Sequence, residues 1–514
     1  YNTIFNKMHS LNVMLGQEAQ SYEYFQNVAT IDGISDDYYQ WYNMGAGSTL
    51  KAPSSNYTGD KMLSYFARIN YSFKDRYLVT VTGRFDGSSK FGEDNRFAFF
   101  PSAALGWRAS EEDFLKGNKV ISNLKPRVSY GFTGNSGIPT YGSMANLSTS
   151  GMAYPFGGTR ENGIGVGSLA NPLLRWEKTG QFNVGLDLGF FNERISLSAD
   201  YYIKHTTDML LNAPVPTTSG FRSISTNIGN MRNSGFEFTL NTQNIQTKNF
   251  SWSSMLNFSS LKNKITALSQ GDADIIMAPN NLTILRVGES VGSFFGYIRD
   301  GVWGENEAEQ AAIYGKLPGD AKLRDVNNDK QINESDRVIL GKGIPDLPAS
   351  FTNTFKYKDF DLVIELQYSC GSKIYWDGLG TCAMRQGIAN SLSMVLDTWT
   401  PENQGATLEQ IRPSNAYYNS LKDDARLYNG SFIRGKNISL GYNLPSDICK
   451  KLHLKALRVT LSAQNIFVIS QYPGFDPETT VYNTTTQNEA FAQNIETFGY
   501  PKPRTFSFGA NITF

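Results

Sequence analysis

The chain has 514 residues, of which 40% are hydrophobic, 13% aromatic and 18% charged, and its 47 basic residues balance 47 acidic ones. This neutral balance argues against a nucleic-acid partner, because nucleic-acid binding needs a basic patch or stripe. No stretch approaches the ~18 uninterrupted apolar residues of a transmembrane helix, so the composition favours a large β-barrel, in which only every second residue of a strand meets lipid.

Large or apolar side chains alternate with small or polar ones in several stretches. These are residues 181–189, 194–204, the run from Phe360, the run from Leu457, and the last nine residues, 506–514. Side chains on a strand point alternately to opposite faces, so each stretch predicts a strand with one apolar and one polar face. A tilted strand of ~9–11 such residues is long enough to cross a bilayer.

Applied along the chain, the alternation predicts fourteen strands. In chain order they are 4–20, 58–73, 76–86, 97–108, 125–135, 173–190, 194–210, 223–241, 250–264, 346–357, 360–371, 430–443, 455–468 and 500–514. An even number is typical of bacterial outer-membrane barrels, which can close at such a count.

The connections between these strands are of two kinds. Lys74-Asp75, Asn192-Glu193 and Lys358-Asp359 predict tight hairpin turns. Long segments rich in Gly, Ser, Asn, Pro and Tyr occupy 21–57, 136–172, 265–345, 372–427 and 469–499. Short periplasmic turns and longer extracellular loops are typical of outer-membrane barrels. With Lys74-Asp75 on the periplasmic side, the first strand runs outward and Phe514 lies at the periplasmic rim.

Cysteines and the first residues say little about the fold. Cys370, Cys382 and Cys449 allow at most one disulfide, and both a Cys370–Cys382 bridge and free thiols stay open. The chain opens on Tyr1 and Asn2 without a signal peptide. We therefore expect it to be processed, cleaved or incompletely represented at its N-terminus.

Long motifs follow one another in order along almost the whole chain. They lie at 65–71, 77–90 (with Arg-Phe-Asp-Gly-Ser-Ser at 84–89), 91–92, 100–102, 106–107, 110–114, 171–179, 318–320, 325–336 and 500–506. They resemble the SusC/RagA family of TonB-dependent outer-membrane transporters. The resemblance implies a 22-stranded barrel that is closed by an N-terminal plug and energised by the TonB complex through a TonB box.

Neither a plug nor a TonB box is recognisable, so residues 1–514 resemble the C-terminal part of such a barrel, about strands 9–22. The expected fold is all-β: a transmembrane antiparallel β-barrel segment of about 14 strands with long extracellular loops. By the same resemblance, the eight remaining strands and the plug lie outside this sequence. The implied partners are a SusD-like surface lipoprotein, the TonB complex through the missing plug region, and outer-membrane lipid.

A calcium site is predicted at 325–336, within the long extracellular loop 265–345. Asp325, Asn327 and Asp329 fall at loop positions 1, 3 and 5, the backbone carbonyl of Gln331 at 7, and Asp336 at 12. This is the oxygen spacing of an EF-hand-like loop. Lys330 replaces the glycine expected at position 6, and Asp336 is shorter than the usual glutamate. A plain Asn/Asp turn is the alternative interpretation.

Substrate-binding candidates come from loop aromatics and from charges on the polar strand faces. Flat amphipathic rings suit stacking on sugars or gripping of peptides, although loop packing is the alternative role. The candidate substrate-binding residues are Trp41, Tyr42, Trp303, Tyr375, Trp376, Arg84, Asp86 and Glu365. The charges expected to line the lumen are Arg84, Asp86, Arg127, Asp187, Asp200, Glu237, Asp361, Glu365 and Arg458.

Other aromatics and the histidines point away from chemistry. Trp107 and Trp252 are expected in the interfacial aromatic girdle. His9, His205 and His453 lie in separate runs without metal-ligand spacing, and the chain has no Gly-x-Ser-x-Gly elbow. We therefore expect no enzyme activity.

The predicted function is TonB-dependent import of an oligosaccharide, glycan or peptide across the outer membrane of a Gram-negative cell, together with a SusD-like lipoprotein. The alternative is a surface glycan-binding or adhesion β-protein that transports nothing. Glycan and peptide are not distinguished by the sequence.

Overall fold

The structure is a computed structural model that describes residues 1–36, 38, 40, 42–149, 153–277, 281–383, 390–412, 421–479, 491 and 493–514. Trp41, one of the candidate substrate contacts, lies outside the described residues. Within the described part, no helix is both long and apolar enough to span a membrane.

One large antiparallel sheet dominates the described residues and contains seventeen strands. Its strands are Asn2–Phe5, His9–Val28, Ser54–Phe73, Tyr77–Ser88, Phe97–Trp107, Ile121–Asn135, Glu177–Phe190, Ile195–Thr207, Asn230–Gln246, Phe250–Ser259, Lys262–Ala267, Leu347–Tyr357, Phe360–Cys370, Phe432–Asn443, Ala456–Gln464, Val468–Ser470 and Thr505–Thr513. Consecutive runs pair as neighbours throughout, for example Phe360–Cys370 between Leu347–Tyr357 and Phe432–Asn443. The sheet is therefore a meander.

The fourteen predicted strands are confirmed, with three of them divided in two. A turn at Asn6 and Lys7, which have φ of 51° and 54°, separates Asn2–Phe5 from His9–Val28. Breaks after Ser259 and Gln464 divide two further runs. The predicted strand 223–241 begins at Asn230, because Ser223–Asn227 pairs instead with Leu210–Pro214 in a separate hairpin.

All three predicted tight turns are present and lie at one end of the sheet. Lys74 and Asp75 have φ of 51° and 54°, Asn192 and Glu193 have 57° and 60°, and Lys358 has 49°. Left-handed residues of this kind match the twist of the strands on either side of a hairpin. The long connections leave from the opposite end.

Those long connections fold into small structures of their own. Residues between Ala267 and Leu347 form a four-stranded sheet of Ile275–Met277, Thr283–Leu285, Ser293–Gly296 and Val338–Lys342, and a hairpin of Arg299–Val302 with Ala321–Leu323. A further sheet joins Lys373–Trp376, Leu427–Asn429 and Ile495–Glu496. The other short hairpin strands are Ile31–Asp32 with Thr49–Leu50, Leu147–Ser148 with Gly165–Val166, and Ala153–Phe156 with Thr159–Asn162.

Helices are short and lie in the connections. Among the described residues, the α-helices are Ser269–Asp272, Ala308–Ile313, Leu379–Ala383 and Ser446–Lys451. The 3-10 helices of the same described part are Met44–Ala46, Glu93–Asn95, Ala109–Glu111, Thr217–Ser219, Glu305–Glu307, Glu334–Asp336, Ser393–Asp397 and Asp424–Arg426. Cys370 and Cys449 are free thiols.

Candidate functional site

The two faces of the sheet differ in chemistry, as the alternation predicts. In strand Phe360–Cys370, Leu362 and Leu366 lie opposite Phe355 and Phe351 of the neighbouring strand on the apolar face. Glu365 belongs to the other face. Apolar side chains such as Phe351 remain solvent-accessible on the chain, which suits a surface meant for lipid.

Polar side chains join neighbouring strands on the opposite face. The Thr239 hydroxyl donates to Asn257 Oδ1 at 3.0 Å, and the Asn257 amide donates to the Ser350 hydroxyl at 3.2 Å. Gln367, directly opposite Ser350, donates to Glu478 Oε1 at 3.4 Å. The row thus ends on a residue from the connection between the last strands.

A cavity of about 670 Å³ lies on this polar face. Its lining includes Glu237, Glu365, Gln367, Lys436 and Glu478. Three carboxylates against one ammonium give it an acidic character. The structure thereby brings two of the predicted lumen charges, Glu237 and Glu365, to one concavity.

Arg127 holds a second group of the predicted lumen charges together. Its guanidinium donates to both oxygens of Asp187 at 3.0 Å and to both oxygens of Asp200 at 2.7 Å. Gly185 pairs with Arg127 on one side and with Asp200 on the other. A Cβ at Gly185 would lie 2.5 Å from Arg127 Nη1 and 2.5 Å from Asp200 Oδ1, so the absence of a side chain opens the space for the ion pair.

A second glycine leaves room for an ion pair near the end of the sheet that carries the tight turns. Arg458 donates to Asp361 at 2.7 and 2.8 Å, and a Cβ at Gly441 would lie 2.2 Å from Arg458 Nη2. Both charges were predicted to face the lumen. Their pairing links strand Phe360–Cys370 to strand Ala456–Gln464 across the strand that lies between them.

Arg84 and Asp86 form a pair that is separate from the Glu365 cavity. Arg84 Nε donates to Asp86 at 2.7 Å, and Nη2 donates to Glu18 and to Ser64, each at 2.9 Å. Neither Arg84 nor Asp86 lines the cavity of about 670 Å³. The predicted binding residues therefore fall into at least two places.

Two of the predicted aromatic contacts are corrected, because their rings are packed inside the loops. Trp303 is 5% exposed, stacks on Tyr314 with ring centroids 6.0 Å apart and carries the Lys322 ammonium 4.6 Å from its ring. Tyr375 is fully buried beside Phe294 in a small apolar core, and this burial raises the pKa of Tyr375. Neither offers a face on which a substrate can stack.

The remaining described candidates differ in exposure. Trp376 is half-buried and packs edge-on against Tyr428 and Tyr472, with centroids 6.1 and 5.8 Å away. Tyr42 is 77% exposed. Of the predicted girdle residues, Trp107 donates to Glu112 at 3.1 Å and Trp252 to Asn353 at 2.9 Å, each at the short-turn end of its strand.

Side-chain oxygens of the 325–336 loop accept hydrogen bonds from backbone N–H groups of the same loop. The carboxylate of Asp325 accepts the Lys330 N–H at 2.8 Å, Asp329 accepts Gln331 N–H at 2.8 Å, and Asn327 accepts Asp329 N–H at 3.0 Å. Asp336, fully buried, accepts from the backbone of Val326 and Asn333 at 2.8 and 2.9 Å.

Lys330 adopts φ of 63°, the conformation usually supplied by glycine at position 6. Asp325 Oδ1 is buried without a hydrogen-bond partner in the described structure. The described residues contain no group of three or more His, Cys, Asp or Glu side chains arranged for a metal ion. A calcium ion here would therefore rely on the mixed set of Asp325, Asn327, Asp329, the Gln331 carbonyl and Asp336.

A buried charge cluster links two of the long connections and was not predicted. Arg299 pairs with Glu409 at 2.7 Å and with Asp423, and both carboxylates are almost completely buried. Burial raises the pKa of Glu409, against the opposing effect of Arg299. Arg299 lies more than a hundred positions from both carboxylates, so no local pattern signals their contact.

Comparison with known proteins identifies a matching family and similar relatives. It matches the family described as TonB dependent receptor-like, beta-barrel, over residues 2–466. TonB-dependent receptor P3 of Formosa agariphila is 36% identical over all of this chain and 51% of its own length. TonB-dependent receptor SusC of Bacteroides thetaiotaomicron is 33% identical, covering 90% of this chain and 45% of its own length.

Among solved structures, the RagAB peptide transporter superposes with a TM-score of 0.83 at 27% identity, covering all of this chain and 54% of that one. The chain thus spans about half the length of the curated relatives that it matches.

Proposed function

We propose a function from one premise: this chain belongs to the TonB-dependent receptor β-barrel family, as its match over residues 2–466 shows. Members of this family are outer-membrane transport receptors and not enzymes. The proposed activity of the whole protein is the import of a nutrient, an oligosaccharide or a peptide, across the outer membrane. Its proposed partners are a SusD-like surface lipoprotein and the TonB complex.

The observation that carries this proposal is the acidic cavity of about 670 Å³ on the polar face of the sheet, lined by Glu237, Glu365 and Lys436. A wall that only anchored an adhesin would need no concave polar site on the face turned from lipid. Concave sites with a few convergent polar groups are the usual form of ligand sites. The relatives add support, since one is SusC and another is a peptide transporter.

The proposal also extends to the 325–336 loop, where a calcium ion would be structural. Hard cations prefer oxygen ligands, and extracellular modules bind calcium with a Kd of ~10⁻⁴–10⁻³ M. Two observations support the ligand set predicted from the sequence: the positive φ of Lys330, and an Asp325 oxygen that has no hydrogen-bond partner among the described residues. The ion would hold the loop in shape and take no part in transport chemistry.

The test is purification of the tagged full-length protein from its native outer membrane, followed by mass spectrometry of co-purifying proteins and of extracted small molecules. We expect a surface lipoprotein in stoichiometric amount and a bound sugar or peptide. A protein that purifies without a lipoprotein and without either ligand would contradict the proposal and favour a surface adhesin.

A further inference from the structure

A second, smaller cavity shares a wall residue with the first. It measures about 260 Å³ and is lined by Asp476, Glu478, Thr479, Glu496 and Tyr500, among others. Glu478 also lines the cavity of about 670 Å³. Glu478 therefore forms part of the wall of both cavities.

Two of the three carboxylates in this pocket already have cationic partners. Asp476 accepts from Arg434 at 2.6 Å, and Arg434 is itself buried. Glu478 accepts from Lys502 at 2.5 Å, and this contact helps to lower the pKa of Glu478 against the opposing effect of burial. These two carboxylates are neutralised within the chain.

The third carboxylate, Glu496, has no cationic partner among the described residues. It is 6% exposed, and its Oε1 accepts the backbone N–H groups of Phe498 and Gly499 at 2.9 and 2.6 Å. Within the described part of the chain, its Oε2 is buried without a hydrogen-bond partner, and so is Thr479 Oγ1 in the same pocket. A buried charge or acceptor left unpaired is costly, so each such group calls for a partner.

The chemistry of these two oxygens selects the partner. The three carboxylates of this pocket do not form a group arranged for a metal ion, whereas an ammonium or guanidinium group brings several N–H donors and a positive charge. Phe475 and Tyr500, which also line the pocket, are 79% and 89% exposed. Aromatic faces near a pocket attract cations further.

We propose that this pocket is a subsite for a cationic group of the imported substrate, an ammonium or guanidinium that donates to Glu496 Oε2 and Thr479 Oγ1. The inference rests on the proposed import function and narrows its substrate class. The group would come from a lysine or arginine side chain of a peptide, or from the free amine of an amino sugar.

Binding to the purified full-length complex tests the subsite without any transport step. Isothermal titration would compare the peptides Ala-Ala-Lys-Ala-Ala and Ala-Ala-Gln-Ala-Ala, and a glucosamine tetramer with its N-acetylated counterpart. We expect the charged member of at least one pair to bind about tenfold more tightly, the size of a hydrogen bond to a charged group. The pair that shows the preference identifies the source of the amine.

The variant Glu496→Gln should abolish this preference. It keeps Oε1 for the two backbone N–H groups and removes only the charge, so the loop keeps its contacts. Glu402→Gln, at an exposed position on another connection, is the matched control and should keep the preference.

Equal binding within both pairs by the wild-type complex would overturn the subsite, and so would a preference that survives Glu496→Gln. Because these outcomes concern affinity alone, the import proposal would stand or fall separately, on the lipoprotein and ligand that co-purify.

Discussion

Single glycines on the polar face decide whether charges can pair across a strand. Gly185 lies between Arg127 and Asp200 on neighbouring strands, and only a hydrogen at its Cα leaves room for their contact. The Arg127 side chain is 30% exposed, so the pair is partly shielded from water. In such surroundings hydrogen bonds to charged groups contribute ~1.5–3 kcal/mol each.

We predict that Gly185→Ala weakens the folded barrel. The new methyl group would displace Arg127 or Asp200 and leave partly buried charges without their partner, with an expected loss of about 1–3 kcal/mol. The measurement is the temperature at which the full-length barrel loses its compact band in heated detergent gels. Gly106→Ala is the control, because its Cβ meets Leu78 and Lys125 only at an ordinary 3.6 Å; equal midpoints for both variants would contradict the prediction.

The alternation within each strand assigns its side chains to two faces, which explains why the strands could be predicted so completely. The period of two is a local property of the sequence. The polar face and the lipid-facing apolar face of a strand can therefore be predicted without knowing which distant residues they contact. The loops lack such a signal. Trp303 and Tyr375 resembled exposed stacking residues in the sequence, yet both are buried. Tyr375 fills a loop core whose other members, such as Phe294 and Ile495, come from distant parts of the chain.

The residues of the candidate site were likewise predictable where they lie on strands and not where they lie in loops. Glu365 and Glu237 were placed on the polar face by strand periodicity, and the structure brings them to one cavity. Glu478 and Glu496 lie in the connection before the last strand, where no period exists to place them. Only the folded chain shows that Glu478 reaches Gln367, more than a hundred residues away.

At the level of one strand, we predict opposite responses from adjacent residues. Ile364→Arg should block assembly, because a lipid-facing arginine near the bilayer midplane costs ~2–4 kcal/mol. Glu365→Gln should leave assembly intact, since its side chain faces the polar cavity. Outer-membrane yield of the full-length protein is the readout, and equal tolerance of both changes would contradict the lipid-facing assignment.

For the 325–336 loop, we predict calcium-dependent protection from protease. The ordering of a long polar loop is entropically unfavourable, and an ion bound by Asp325 and Asp329 would offset that. The full-length protein should be cut faster in this loop when a chelator replaces calcium. In the double variant Asp325→Ala and Asp329→Ala, cleavage should be fast in both conditions; a native loop cut equally fast with calcium and with chelator would exclude a functional site.

At the scale of the whole molecule, the chain that forms this sheet and its cavities spans about half the length of the relatives. The polar face holds paired charges that fasten the wall and an acidic cavity with a side pocket. An importer uses such a wall to hold its substrate until work supplied from the inner membrane opens a route for the substrate through the barrel. A surface adhesin would not accumulate a ligand inside the cell.

Energy-dependent uptake is therefore the most direct test of the account. The ligand recovered from the purified complex would be radiolabelled and offered to native cells that carry or lack the gene, with and without a protonophore. We predict saturable accumulation that requires the gene and stops when the protonophore collapses the proton gradient. Surface binding that requires the gene but is unchanged by the protonophore, with no label inside the cells, would contradict the import function.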